Sequence, residues 1–537
     1  MKRMLWVPVA VLLFLPLSLL LLTTSIQNTA AQNAGTFRMM AGEPSSLDPN
    51  LVTDYSTYLI VQLFEPMYIL RTNGSLQMLG AKSVSTSADG LTWTFQLNPA
   101  YKWSDGQPVT AADYEFSWTR DLDPKVGGAV GDFLTDIKNA TEYNSKKITD
   151  PSQVGVTAVD KYTLKVTLAH PAPQFRAVVG LPYLQAVPKH VVQQWGDKWT
   201  DPSHIVSNGP YKLTSWEHDK QIVLDANPYY AGPMKPNIKH VVISITSTDP
   251  CVAQLRAYEA NEIDFATCVP PQEISRIMKD PKLGPELKRL PLSGTVWVQF
   301  DNSRAPWNDV RVRQALAMVV DRKAIVDAIT QGTATVAPVL VPTDIPGNNP
   351  ADAFQGSVDQ AKQLLAAAGF PDGKGFPKFT IMASAARSQK QIAELLQQMW
   401  SDKLGISSQV SVLEENAYRA WIKARKTEPY EAVIEQWFSD YADPQDWHDL
   451  VWAKDYRNIH YSNPAFTKLV DQAEGELNAQ KRIALFRQSN AILEKDQPCI
   501  PLYYPADLWL LKPYVTGLHI DQGILNLYYL ATAHMTQ

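Results

Sequence analysis

Cysteine is scarce in this chain: three in 537 residues, Cys251, Cys268 and Cys499. A fold of this length therefore does not depend on a disulfide framework. Cys251 and Cys268 flank a helix-to-strand connection and can pair in an oxidising compartment; buried free thiols acting as small hydrophobes are the equal alternative. No cysteine lies in the first 34 residues, so acylation of an N-terminal cysteine is not available as a tether. Catalytic signatures are lacking too. There is no G-x-S-x-G elbow, H-E-x-x-H pair, P-loop or C-x-x-C, and "DGKGF" (372–376) is a lone glycine-containing turn without phosphate-binding context. Long basic runs are absent: the formal net charge is −5, or −7 once Lys2 and Arg3 are set aside, which excludes nucleic acid as the main partner. His448 between Asp446 and Asp449 is a conceivable metal site, but acids near one histidine in a loop are usually solvated. Neither a metal nor a cofactor is expected.

What is present begins with an address. "MKRMLWVPVAVLLFLPLSLLLLTTSIQNTAAQNAG" carries two positive charges, an apolar run from Met4 to Leu22 and a small, polar stretch near Thr29, Ala30 and Ala31. That is the layout of a secretory signal, so the chain is expected to be exported. The apolar run is also long enough for an uncleaved membrane anchor, against which Pro8 and Pro16 weigh. With 45% hydrophobic and 19% charged residues, the remainder is an ordinary globular composition, too long for one core.

Downstream, strand and helix patterns alternate. "KFTIMA" reads as a strand, and Ile392, Leu395, Leu396, Met399 and Trp400 recur at helical spacing up to Gly405. "ISSQVSVLE", the helix "NAYRAWIKARK" and the strand "YEAVIEQW" follow, giving β-α-β-α-β. The same order runs upstream through "IKHVVISIT", a helix around Val252, Leu255 and Tyr258, "IDFATCV", "PQEISRIM" and "GTVWVQFDN". Two such blocks predict two lobes with mostly parallel sheets. Between Leu91 and Leu224, period-two alternation separated by Pro- and Gly-rich turns predicts a partly antiparallel, irregular insert.

At the end of the last strand stands "QWFSDYADPQDW" (436–447), with Asp440, Asp443 and Asp446 among Trp437, Phe438, Tyr441 and Trp447. Spacing of three would place the acids on one helix face, but Pro444 breaks that reading and makes a strand-end loop. In α/β sheets ligands bind outside the carboxyl ends of strands, where aromatics supply low-entropy contact surface. Most of the 15 Trp and 22 Tyr are expected in cores; Trp437 is expected to stand apart, as a wall beside the acids. An acid in such a crevice suits a cation, and a primary ammonium fits.

These segments, in order, resemble the extracellular solute-binding proteins of ABC transporters, in the oligopeptide- and dipeptide-binding class (family 5). The resemblance rests on "GEPSSLDPN", "LTWTFQLNPAYKWSDGQPVTAADYEFSW", "SNGPYKL" with "ANPYYAG", "NEIDFATCVP", "DNSRAPWNDVRVRQALAMVVDRKAI" and "WFSDYADP", and covers almost all of the chain from Phe37. It implies an α/β, bilobal periplasmic-binding-protein-like (class II) fold with an additional inserted domain. Residues 1–34 would be the signal peptide or anchor. Domain I would comprise 35–80, 203–299 and 507–537, domain II the insert 81–202, and domain III, the closing lobe, 300–506.

The resemblance further implies a monomeric binding module, not an enzyme. It would capture a peptide, an oligopeptide by the look of "SDYADP", and pass it to permease subunits driven by separate ATPase subunits, in the periplasm or at the outer face of the cytoplasmic membrane. A non-peptide solute, such as a metallophore, oligosaccharide or opine, is the alternative on the same fold, and a secreted hydrolase lacks its motifs. Asp440 matches the acid that holds the peptide's α-ammonium in relatives. Glu43, Pro44 and Ser45, with Trp437 and Phe438, would lie along the peptide backbone, which can be paired irrespective of side chain. For the peptide carboxylate, Arg387 occupies the place of an arginine in dipeptide-selective relatives, though "SAARSQKQ" replaces its motif, and Ile434 stands where some oligopeptide-selective relatives carry arginine. Asp443 is assigned to the turn and Asp446 to solvated surface. "NDVRVRQALAMVVDRKAI" is expected to be one amphipathic helix packing by Val312, Ala315, Leu316 and Val319.

Overall fold

The computed structural model describes residues 35–52, 56–71, 75–128, 131–246, 250–385, 388–425, 429–521 and 527–536. The leader and Arg387 lie outside the described residues. Two mixed sheets, each packed with helices, form an α/β bilobal molecule. The first sheet has seven strands in the order Leu287–Pro291, Ala506–Leu511, Phe265–Ala266, Thr36–Ala41, His240–Ile245, Gln221–Ala226, Tyr211–Glu217. The second has six, in the order Thr335–Val336, Cys499–Tyr504, Gly294–Phe300, Ala432–Phe438, Phe379–Ser384, Ser408–Leu413. A separate four-stranded antiparallel sheet, Ala81–Thr86, Thr92–Leu97, Thr163–Thr167 and Val156–Ala158, forms the insert.

The expected strands and helices are in place, but their pairing departs from expectation in two ways. The large sheets are not mostly parallel. Thr36–Ala41 runs parallel to both neighbours and Phe379–Ser384 to both of its own, while every other pair in the two sheets is antiparallel. Furthermore, "GTVWVQF", read as the last strand of the upstream block, belongs to the second sheet, between Ala432–Phe438 and Cys499–Tyr504. The boundary expected between 299 and 300 would cut that strand. Periodicity reports which face of a strand is buried, and every residue from Gly294 to Phe300 is buried, so the pattern carries no information about which sheet it joins.

The helix Gln389–Leu404 ends as its sequence indicates, with Gly405 in the left-handed region at φ 70° donating its N–H to the Ser401 and Trp400 carbonyls. The run 308–325 is not one helix. It forms Val310–Met318 and Arg322–Thr330, because Asp321 caps the second by accepting the Ala324 N–H. Cys251 and Cys268 form a disulfide across a separation of 17, and Cys499 is a buried free thiol. Ile434 and Phe379 pack with Phe300, Leu316 and Trp400 in the second lobe's core, each full burial contributing about 1.5–3 kcal/mol.

The chain crosses between the two sheets at adjacent points. Leu287–Pro291 leads into Gly294–Phe300 through Leu292 and Ser293, and Cys499–Tyr504 leads into Ala506–Leu511 through Pro505. The Leu292 N–H donates to the Pro505 carbonyl at 3.0 Å, so the crossings are bonded to one another.

Candidate functional site

Ala432–Phe438 and Phe379–Ser384 run parallel, so their carboxyl ends share one edge of the second sheet. From that edge the loop Ser439–Gln445 enters the helix Asp446–Ala453, which is wound as a π-helix, a form concentrated at functional sites. The loop is anchored at its start. The Ser439 N–H donates to the Ser293 carbonyl at 2.7 Å, the two hydroxyls lie 2.9 Å apart, and Trp447 Nε1 donates to Ser439 Oγ at 2.8 Å. A Cβ at Gly294 would lie 2.5 Å from the Phe438 ring and 2.8 Å from the Trp437 carbonyl, so glycine lets the strand end approach this closely.

The three acids of the loop have different environments. Asp443 accepts both terminal nitrogens of Arg482 at 2.7 Å and the Gln445 N–H at 2.9 Å, the second contact shaping the turn. Asp446, expected to be solvated, is fully buried (0% exposed). Its Oδ2 accepts Trp437 Nε1 and the Asp440 N–H, each at 3.1 Å, while Oδ1 has no partner among the described residues. Burial, reinforced by the neighbouring Asp440 charge, drives its carboxyl well above the ordinary range. Asp449 is likewise buried, bonded to Gln445 Nε2 at 3.0 Å and Lys454 at 2.6 Å.

Asp440 is partly buried, and among the described residues no donor is bonded to its side-chain oxygens. Burial raises its carboxyl to about 6, opposed by the positive charge of Arg457. His448 is enclosed by Phe466, Phe486 and Trp452, with Nδ1 3.1 Å from the Pro444 carbonyl, and burial lowers its pKa to about 4. It is a neutral core imidazole, and no group of three or more His, Cys, Asp or Glu suited to a metal occurs among the described residues.

Trp437 does not stand apart from the core: it is 7% exposed and packs with Trp297, Trp447 and Trp452. Its outer surface is covered by Arg457, whose guanidinium lies 4.5 Å from the ring centroid, and by Tyr456, edge-on at 5.7 Å. Tyr456 is 55% exposed and presents the aromatic surface the sequence had assigned to Trp437. Neither Tyr456 nor Arg457 was identified from sequence. Tyr456, in "DYRN", lies 19 residues past Trp437, and only the return of the chain after the π-helix brings it back.

On the first sheet, Gly42–Ser46 leaves the carboxyl end of Thr36–Ala41. The Glu43 carboxylate is already engaged: it accepts Trp216 Nε1 at 2.9 Å and the Asp219 N–H at 3.1 Å, with His218 Nδ1 at 2.7 Å. Pro44 is buried, and the Ser45 N–H donates to Ser56 Oγ at 3.1 Å. Further on, Asp48 accepts Arg120 Nη2 at 2.7 Å and Trp199 Nε1 at 3.0 Å from the insert. The segment is thus fixed at both ends. The backbone of Gly42 and Glu43 makes no hydrogen bond among the described residues and is open to an extended chain. Tyr441 reaches the insert, edge-on to Phe133 at 6.4 Å.

Residues 76–458 match the family model described as "Bacterial extracellular solute-binding proteins, family 5 Middle". A periplasmic oligopeptide-binding protein of Salmonella typhimurium is 30% identical over 503 residues, 91% of each chain. A probable deoxycholate-binding periplasmic protein of Escherichia coli is 31% identical over 492 residues, 89% of this chain and 90% of its own. Among solved structures, the unliganded open form of a periplasmic murein tripeptide-binding protein superposes with a TM-score of 0.80 at 28% identity, covering 93% of this chain and 97% of the other.

Proposed function

The chain belongs to the bacterial extracellular solute-binding proteins of family 5, and from that premise we propose that it captures peptides by the amino terminus at Asp440 and delivers them to a membrane importer. The observation that carries this reading is the Asp440 carboxylate, partly buried and without a hydrogen-bond donor among the described residues. An ammonium ligand supplies the missing donors, each charge-assisted bond contributing about 1.5–3 kcal/mol. The open backbone at Gly42 and Glu43 offers side-chain-independent pairing; Pro44, Ser45 and Phe438 are proposed as flanking contacts, and Arg387, outside the described residues, as the candidate for the far carboxylate. Glu43 serves through its main chain, since its side chain is held by the Trp216–Asp219 hairpin.

The family consists of substrate-binding transport proteins, and relatives are periplasmic by name. For this chain, export by its leader, a monomeric state and transfer to permease and ATPase subunits form part of the proposal. A carboxylate solute without an amine, such as the deoxycholate in the E. coli relative's name, would place like charge against Asp440, so the peptide reading is favoured.

Native mass spectrometry of protein purified without refolding is expected to show peptide masses in the cleft. In calorimetry, Asp440→Ala should weaken a co-purified peptide roughly ten- to hundredfold, and N-acetylation of that peptide should do the same. Affinity unchanged by both would remove Asp440 from the site.

A further inference from the structure

Arg457 has fewer acceptors than its charge requires. Its guanidinium lies over the Trp437 ring, 4.5 Å from the centroid, and its nearest carboxylate oxygen, Glu435 Oε2, is 3.9 Å from Nη1. Glu435 is committed elsewhere: its Oε1 accepts the fully buried Arg425 Nη2 at 2.8 Å. Among the described residues the Arg457 guanidinium donates no hydrogen bond, and its Nε is buried without a partner. Five N–H donors on a rigid fork thus sit beside the Trp437 ring, with one distant ion pair and no hydrogen-bond acceptor among the described residues, although buried polar groups are normally paired. The side chain is 24% exposed, so the fork retains an open edge.

The same end of the sheet carries Asp440, an anion without donors. Trp437 connects the two: the Arg457 guanidinium lies over its ring, and its Nε1 shares Asp446 Oδ2 with the Asp440 N–H. Asp440 and Arg457 do not pair with each other. Other charges nearby are already occupied. Asp443 holds Arg482, Asp455 accepts the Ile459 and His460 N–H groups, and Asp301 lies 2.8 Å from His460. An unmatched acid and an unmatched arginine beside one exposed tyrosine complement a ligand that presents an ammonium and a carboxylate close together.

We propose that Arg457 and Tyr456 make this end of the cleft selective for peptides whose first residue has an acidic side chain, Asp or Glu. The inference rests on the reading of Asp440 as the ammonium acceptor. With the ammonium on Asp440, a basic first side chain would face Arg457 with like charge, and an apolar one would leave the guanidinium unmatched. An acidic one would complete it by a bidentate pair, for which arginine's fork is suited.

The test is calorimetry on the full chain with peptides identical except for Asp, Glu, Ala or Lys at the first position, each with a free or an acetylated amino terminus. Acidic-first peptides should bind the wild type roughly tenfold more tightly than the Lys-first peptide. Arg457→Gln should bring the series to within about twofold, and Arg457→Lys should keep part of the preference. A flat wild-type series, or a preference unchanged in Arg457→Gln, overturns the inference, and the wild-type series decides alone should that variant not fold. Binding indifferent to acetylation would instead overturn the Asp440 reading, so the two failures are distinguishable.

Discussion

Burial separates Asp440, in the loop, from Asp446, six residues on at the start of the π-helix. Asp446 lies wholly inside and is held well above the carboxylate range, whereas Asp440, raised to about 6, ionises near neutrality. Asp440 thus ionises at a position where the charge is unfavourable until a partner arrives. Its folded pKa lies above the ordinary 3.8, so the stability it contributes is complete below about 4 and is lost as pH rises through 6. Asp440→Asn should therefore raise the unfolding free energy above pH 6 by about 1–3 kcal/mol while ligand affinity falls. Urea unfolding at pH 4 and pH 8 checks this, with the full gain expected at pH 8 and most of it absent at pH 4. Ligand binding has the opposite slope: ammonium capture needs the carboxylate, so wild-type affinity should decline as pH drops below 6. The sequence displayed these acids and their aromatics but not their depth. Depth depends on Trp297, Trp452, Phe466 and Phe486, which arrive from other segments, so the sequence places Asp446 at the surface and sets Trp437 apart from the core.

Among secondary-structure elements, strands and helices with clear periodicity were legible, including the strand end that carries the site. Sheet membership was not. The fully buried Gly294–Phe300 has no face to report, and its pairing with Ala432–Phe438 is a long-range contact that no local pattern encodes. The π-helix was likewise hidden, since Pro444 speaks for a strand-end loop through Trp447, whereas Asp446 and Trp447 begin the helix. What holds loop and π-helix together is a helix some forty residues on: Arg482, in Ala479–Asp496, bonds Asp443 bidentately, Gln445 Oε1 at 3.3 Å and the Ala473 carbonyl at 3.2 Å. Both partners are shielded from solvent, so removing one leaves an uncompensated charge. Arg482→Ala should lower stability by about 3 kcal/mol, measured by urea unfolding, and should also weaken ligand binding because the loop bearing Asp440 loses its clamp. A loss of stability with full ligand affinity would show that the loop is positioned by Ser293 and Trp447 alone.

For the molecule as a whole, the proposed site is divided between two sheets: the open backbone of Gly42 and Glu43 on the first, Asp440 with Tyr456 and Arg457 on the second. Ligand contacts to both halves provide the differential affinity that shifts a population toward closure. The chain superposes on an unliganded open relative with a TM-score of 0.80. The covalent route between the halves runs through Leu292–Ser293 and Pro505, bonded at 3.0 Å. Ser293 also holds Ser439, one residue before Asp440, through main chain and hydroxyl. The proposed ligand anchor therefore follows directly on a residue bonded to the crossing point. Small-angle scattering should show the radius of gyration falling when peptide is added to the wild type, and no change with Asp440→Ala at the same peptide concentration. Ser439→Ala removes the hydroxyl pair and the acceptor of Trp447 Nε1 while leaving Asp440 in place. It should retain binding with reduced affinity and require more peptide for the same compaction. If Ser439→Ala closes at the wild-type peptide concentration, the loop and the crossing act independently, and closure is driven by the ligand's contacts alone.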